Sequence, residues 1–195
     1  MEFFLIDMKT NKPLGFPQSD SIPPQGQYYC SVGAQNAFGR EILEEQLEYC
    51  LYSNINITSI NAEVVRGQWE YQIFGKGMDG PDDAWVSRYI LDRLCEKHNV
   101  KAEFNPKPFY GNCNGSGCHC NYSTNETRNK KNGIKNIHDM MIKLDKRHMI
   151  HVANYGVGNE NRLTGFHETS SMKKFTYGVA TRNTSIRIPN ETDKN

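Results

Sequence analysis

No apolar run in these 195 residues approaches the length needed to cross a bilayer, and mean hydropathy is −0.71. The opening stretch, MEFFLIDMKTNK, has an acid at Glu2 and no basic region ahead of its short apolar run, so it lacks the pattern of a secretory leader. Neither sign of charge is in excess: 23 Lys and Arg stand against 22 Asp and Glu, for a formal net charge of +1. That balance gives no reason to expect nucleic acid or an anionic membrane as a partner. Internal repeats, low-complexity tracts and the phosphate-loop lysine pattern are also missing. These absences leave one domain of ordinary size, long enough for a real core, with a cytoplasmic location expected.

The six cysteines (Cys30, Cys50, Cys95, Cys113, Cys118 and Cys120) are then expected to be reduced thiols. The N-x-S/T sequons at Asn56, Asn114, Asn121, Asn125, Asn183 and Asn190 read as chance in an Asn-rich chain.

The stretch most loaded with structure is NAEVVRGQWEYQ, Asn61 to Gln72. It predicts a hairpin, Ile60–Val65 and Gln68–Gly75, turning at Arg66–Gly67. Alternation puts Asn61, Glu63 and Val65 on one face and sets Trp69, Tyr71 and Ile73 against Glu70 and Gln72. A single strand carboxylate is ordinarily just solvated. Two carboxylates facing one sheet interior repel unless a cation lies between them, which points to a divalent metal site.

Elsewhere, Glu2–Asp7 reads as a strand and Lys12–Gln27 as a long Pro/Gly surface loop. A first helix is predicted over Ala37–Tyr52, with Leu43, Leu47, Cys50 and Leu51 as its apolar stripe. A second, capped by Asp82 or Asp83, runs to about His98 with Val86, Ile90 and Leu94 inward and Cys95 as padding. Strands follow at Ala102–Asn105, Gly117–Ser123 and Thr184–Ile188, with helices over Ile137–Asn154 and Ser170–Ala180 and a polar tail after Ile188. In the third helix Ile137, Met141, Leu144 and His148 face inward. Short strands, polar on one face, favour an α+β domain with a one-sided antiparallel sheet.

Cys113-x4-Cys118-His119-Cys120 invites a zinc reading. Strand alternation argues against it, since His119 would point away from Cys118 and Cys120; buried thiols are the plainer reading. His119 would instead share a polar face with Asn121 and Ser123. Near the end, Arg162, His167, Glu168, Arg182 and Arg187 gather guanidinium forks suited to carboxylate or phosphoryl oxygens around a potential base. The bland alternative is a solvated charged surface.

Taken together, PPQGQYYCSVGAQNAFGRE, INAEVVRGQWEYQ, NPKPFYGNCNGSGCHCNYST, KLDKRHMIHVANYG, NRLTGFHETS and GVATRNTSIRIP resemble glutamine synthetase of the eukaryotic type over nearly the whole chain. The resemblance implies a curved antiparallel half-barrel with helices outside it, in a ring-shaped homo-oligomer with sites between subunits. It implies ATP-dependent joining of ammonia to glutamate through an acyl phosphate. It assigns Glu2, Glu63 and Glu70 to one Mg²⁺ or Mn²⁺ and His119 to a second, and Asn121, Ser123 and Arg128 to the nucleotide. Asn112, Asn114, Gly115 and Arg162 would contact glutamate, Glu168 would deprotonate ammonium, and Arg182 and Arg187 would hold the phosphates. Oxygen ligands suit a hard cation.

The chain departs from the family by lacking a metal glutamate two positions before Glu2, the small N-terminal domain and the segment after the last strand. Cys113 replaces a customary aromatic. Residues 1–195 are thus expected to be a partial catalytic domain, inactive alone. A non-catalytic remnant, a ligase for another amine and a small zinc module are the other readings.

Overall fold

The structure, a computed structural model, describes residues 1–19 and 22–194. Asp20 and Ser21, within the expected Pro/Gly loop, and Asn195, in the expected polar tail, lie outside the described residues. In chain order the elements are β1 (Glu2–Asp7), β2 (Lys12–Pro13), α1 (Arg40–Tyr52), β3 (Ile57–Ala62), β4 (Gln68–Ile73), α2 (Asp79–His98) and β5 (Val100–Glu103). Then follow α3 (Gly133–Lys146), α4 (His148–Asn154), α5 (Asn159–Arg162), β6 (Tyr177–Val179), β7 (Ile186–Ile188) and α6 (Asn190–Asp193). They form two compact units, Met1–Cys118 and His119–Asn195.

The first unit is an antiparallel sheet of order β2-β1-β4-β3, with β5 also paired to β1. The α+β expectation with an antiparallel sheet and packed helices holds here. Strand β1, EFFLID, is apolar on both faces, as a central strand should be. Phe3 and Leu5 join Trp69 and Tyr71 in the main core, against Ile42, Leu43 and Cys50 of α1 and Leu91, Leu94 and Cys95 of α2. On the other face Phe4 and Ile6 pack with Val65 and Cys113. The Trp69 indole donates to the Phe38 carbonyl at 2.8 Å, and the Arg40 guanidinium lies 5.3 Å over its ring. Burying side chains of this size contributes roughly 1.5–3 kcal/mol each. Gln46 of α1 donates to the Ser87 hydroxyl of α2 at 3.1 Å, and the Cys50 thiol bonds the same oxygen.

Several boundaries differ from expectation. Helix α1 starts at Arg40, not Ala37, because Gly39 takes φ 87° and ends the turns before it. Its buried face is Ile42, Leu43, Gln46 and Cys50, while Leu51 is 56% exposed. Helix α2 begins at Asp79 without a side-chain cap, and Asp83 accepts the Asn56 N–H instead. With that earlier start Ser87, Leu91, Leu94 and Cys95 turn inward and Val86 outward. Strand β5 arrives two residues early, pairing Ala102 with Leu5 of β1.

Leading into the second unit, the expected strand Gly117–Ser123 is irregular backbone; Cys118 to Ser123 are all exposed and pair with no strand among the described residues. The long third helix breaks at Arg147 into α3 and α4. There the His148 ring bonds the Met172 carbonyl at 2.8 Å, which fits its expected place at the core boundary. The Ser170–Ala180 helix does not form. Its proposed cap, Ser170, bonds Thr176 and Ser185 instead, and Tyr177–Val179 pairs in parallel with Ile186–Ile188. β-branched and aromatic residues in that stretch favour the strand. The core here is small: Ile137, Met141 and Ile188, flanked by Leu144 and Phe175.

The corrected face of α1 is testable. Leu43→Ala should cost about 3 kcal/mol in denaturant unfolding, whereas Leu51→Ala should change stability by less than about 0.5 kcal/mol.

Candidate functional site

The first unit gathers its acids through strand register. Glu2 of β1 lies directly across from Glu70 of β4, and Asn61 of β3 lies on the other side of Glu70. Glu63, two positions beyond Asn61, has its N–H bonded to the Gln68 carbonyl, which continues the β3–β4 pairing. Alternation therefore points Glu2, Asn61, Glu63 and Glu70 to one face. Glu63 is 9% exposed. Burial, then the charges of Glu2 and Glu70, pushes its carboxyl up to about 7, against a single bond from the Val64 N–H. A group that resists ionising beside two other carboxylates is stabilised by a cation, and three oxygen donors suit a hard divalent ion. Among the described residues, no three His, Cys, Asp or Glu side chains already stand in a closed metal-binding cluster.

A loop from Asn105 to Gly117 lies against these acids. Gln68 donates to the Gly115 carbonyl at 3.0 Å, and Gly117 donates to Glu2 Oε2 at 2.8 Å. Glu2 N–H returns a bond to the Gly117 carbonyl at 2.9 Å. Lys107 Nζ donates to the Cys113 carbonyl. The expected Asn114 and Gly115 are thereby brought beside the Glu2 and Glu70 pair, and the Asn114 side-chain oxygen is buried with no hydrogen-bond partner. Asn112 is exposed, with its carbonyl accepting from Gln25. Cys113 is buried and packs with Phe4, Ile6 and Val65. Two expectations about this run fail: Cys118 and Cys120 are exposed, not buried thiols, and the strand that was to turn His119 away from them does not form. What counts against zinc is that Cys113 is taken up in the apolar cluster and that, among the described residues, no three His, Cys, Asp or Glu side chains stand together as a metal cluster.

In the second unit Arg182 Nη1 meets Glu168 Oε2 at 2.8 Å, both side chains being more than half exposed. Glu168 and His167 are consecutive residues in left-handed backbone, φ 59° and 53°. Thr169, buried beside them, donates to the carbonyls of Arg162 and Phe166 and accepts the Gly165 N–H. Arg162 ends α5 half-buried, its Nε without a partner. Arg187 points outward from β7, opposite Gly178. Arg128 bonds Ser123 at 2.7 Å and Asn125 at 2.8 Å; His119 and Asn121 lie on the exposed segment just before. Glu168 with Arg182, and Ser123 with Arg128, are thus brought together within this unit.

Sequence reading missed Gln68, Lys107 and Thr169. Gln68 had a signal: it falls two residues before Glu70, hence on the acidic face.

The family model described as glutamine synthetase, catalytic domain, matches residues 1–195. A glutamine synthetase cytosolic isozyme of Chlamydomonas reinhardtii is 50% identical over 188 residues, 96% of this chain and 49% of the relative. Glutamine synthetase N-1 of Phaseolus vulgaris and cytosolic isozyme 2 of Glycine max are each 47% identical over 194 residues, 99% of this chain and 54% of theirs. The chain spans about half the length of the curated relatives it matches. A solved structure titled GmaS/ADP complex-Conformation 1 aligns with TM-score 0.43 at 23% identity, over 55% of this chain and 24% of that one, too low to bear on the site.

Two outcomes check the site's electrostatics. Because the folded chain holds the Glu63 proton more tightly than the unfolded one, metal-free stability is full below about 4.5 and falls as pH rises through about 7. Thermal melting across that window should show the fall, and Glu63→Gln should flatten it. Glu168→Gln, by contrast, breaks only an exposed ion pair and should change unfolding stability by less than about 1 kcal/mol.

Proposed function

This chain belongs to the glutamine synthetase catalytic-domain family, and from that premise we propose that its residues serve the ATP-dependent ligation of ammonia to L-glutamate. The observation that carries the reading is the acid trio Glu2, Glu63 and Glu70, forced together by strand register until Glu63 resists ionising. Such a set fits divalent cations, Mg²⁺ or Mn²⁺, with Glu2, Glu63 and Glu70 holding one and His119 another. Bound there, the ions would neutralise charge on the moving phosphoryl group.

In the proposed reaction a glutamate side-chain oxygen attacks the γ-phosphorus of ATP, the bond to the β-phosphate oxygen breaks, and γ-glutamyl phosphate forms with ADP. Ammonia then attacks the acyl carbon, and phosphate leaves to give L-glutamine. Asn112, Asn114, Gly115 and Arg162 orient the amino acid; the buried, partnerless Asn114 oxygen and Arg162 Nε are an acceptor and a donor suited to its ammonium and carboxylate. Arg182 and Arg187 hold phosphate oxygens. Glu168 takes the proton from ammonium, and Arg182, 2.8 Å from its carboxylate, orients it. Asn121, Ser123 and Arg128 hold the nucleotide.

The antiparallel sheet with α1 and α2 on one face is proposed to be part of a curved half-barrel, residues 1–195 being a partial catalytic domain. The complete enzyme is proposed to be a cytosolic homo-oligomeric ring with sites between subunits. By itself a chain with no ready-made cluster of metal ligands among its described residues should turn over little, because electrostatic catalysis depends on a preorganised set of charges.

A γ-glutamyl hydroxamate assay with Mn²⁺ on this chain should give only trace product; vigorous turnover would contradict the proposed inactivity. Manganese titration followed by electron paramagnetic resonance should show binding. Glu63→Ala and Glu70→Ala should each weaken it by at least the roughly tenfold lost when even an outer partner of a ligand is removed. Unchanged affinity in both would overturn the metal assignment.

A further inference from the structure

We propose that Gln68 is a positioning residue: its side-chain amide fixes the Asn114–Gly115 segment against the acidic sheet face independently of metal, while the Glu2 carboxylate adds a hold on the same segment that weakens when metal binds. The inference rests on the reading of Glu2 as a metal ligand and of Asn114 and Gly115 as substrate contacts.

Gln68 is 1% exposed, and its Nε2 donates to the Gly115 carbonyl at 3.0 Å. A glutamine buried this deeply on a strand is costly unless its amide is used, and here the amide reaches a loop far along the chain rather than a neighbouring strand. Its main chain is used as well: the Gln68 carbonyl accepts the Glu63 N–H at 2.9 Å, and its N–H bonds the Val65 carbonyl at 3.0 Å. Two residues later on the same face is Glu70. One residue therefore ties together the turn that carries Glu63, the strand that carries Glu70 and the loop that carries Asn114.

The loop's second anchor is of a different kind. Gly117 donates its N–H to Glu2 Oε2 at 2.8 Å. A carboxylate oxygen engaged by a divalent cation is a weaker acceptor, so ion binding at Glu2 loosens this side-chain bond and leaves the backbone bond between Glu2 and Gly117 in place. The Gln68 amide carries no charge and is not a ligand, so its bond to Gly115 persists. The loop thus keeps its register through metal binding because of Gln68 together with the backbone bond from the Glu2 N–H to the Gly117 carbonyl, and substrate contacts at Asn114 and Gly115 are presented in the same place before and after the ion arrives.

The test uses Gln68→Met, which keeps length and removes the donor. Hydrogen exchange of the amides in residues 112–116 is measured by mass spectrometry with and without Mn²⁺, beside a Mn²⁺ titration and a thermal melt. In the parent chain exchange should be slow and insensitive to Mn²⁺. In Gln68→Met it should be faster by about tenfold, the worth of one hydrogen bond, and should accelerate again when Mn²⁺ is added. Manganese affinity should stay within about twofold of the parent, since no ligand is removed.

Exchange in the variant equal to the parent's overturns the proposal, as does acceleration that Mn²⁺ leaves unchanged, which is what a merely structural glutamine would give. Failure of the parent chain to bind Mn²⁺ overturns the metal reading and the metal-dependent half of the proposal; the metal-free comparison still decides the Gly115 anchor. Should Gln68→Met not fold, nuclear magnetic resonance of the parent's Gln68 side-chain amide protons decides instead: slow exchange supports the anchor, and exchange at the solvent rate overturns it.

Discussion

Like-charge repulsion across the β1–β4–β3 face is the constraint from which the first unit follows. Three carboxylates are held at cross-strand and diagonal spacing, where opposite charges would be expected and equal ones destabilise. The arrangement persists because the other face of the same strands is fully engaged: Phe3, Leu5, Trp69 and Tyr71 are all but inaccessible, packed against α1 and α2. Together those side chains contribute more than the mutual repulsion of the acids costs. Slipping the register by one residue would relieve the charges but turn the aromatic core outward.

How much of this was legible in the sequence depends on which force decides each segment. Strand β1 was readable to the residue because an apolar run with a single acid at its head has no competing period. The Glu63 and Glu70 face was readable because alternation alone fixes it. Helix α1 was found but its face was misjudged: Leu51 is as apolar as Leu43, and only the packing of α2 decides that Gln46 goes inside and Leu51 out. Helix α2 illustrates the same limit, since two good capping residues, Asp82 and Asp83, end up inside the helix. The stretch Ser170–Ala180 failed for a different reason. Ser170 is a natural helix cap, but its hydroxyl is taken by Thr176 and Ser185, and the strand-forming residues TYGV then find a partner in β7.

Legibility of the site divides along the same line. Carboxylates on strands could be placed by pattern, whereas the loop that lies over them could not, because its position comes from single long-range bonds to Gln68 and Glu2. The two units also differ in how firmly they can hold functional groups. Among the described residues, the first has a core of fourteen buried residues in its principal cluster, the second a cluster of three. Groups mounted on the second unit therefore owe more to hydroxyl-rich local bonding, such as that of Thr169 and Ser185, than to apolar packing.

The turn at His167 and Glu168 follows from that thinner support. Two adjacent side-chain-bearing residues in left-handed backbone are unfavourable by about 1 kcal/mol each, and the bonds of Thr169 help to hold them there. The carboxylate at position 168 is thus mounted on strained backbone that local hydroxyl bonds offset, where a helix or strand would have supplied a ladder of main-chain bonds.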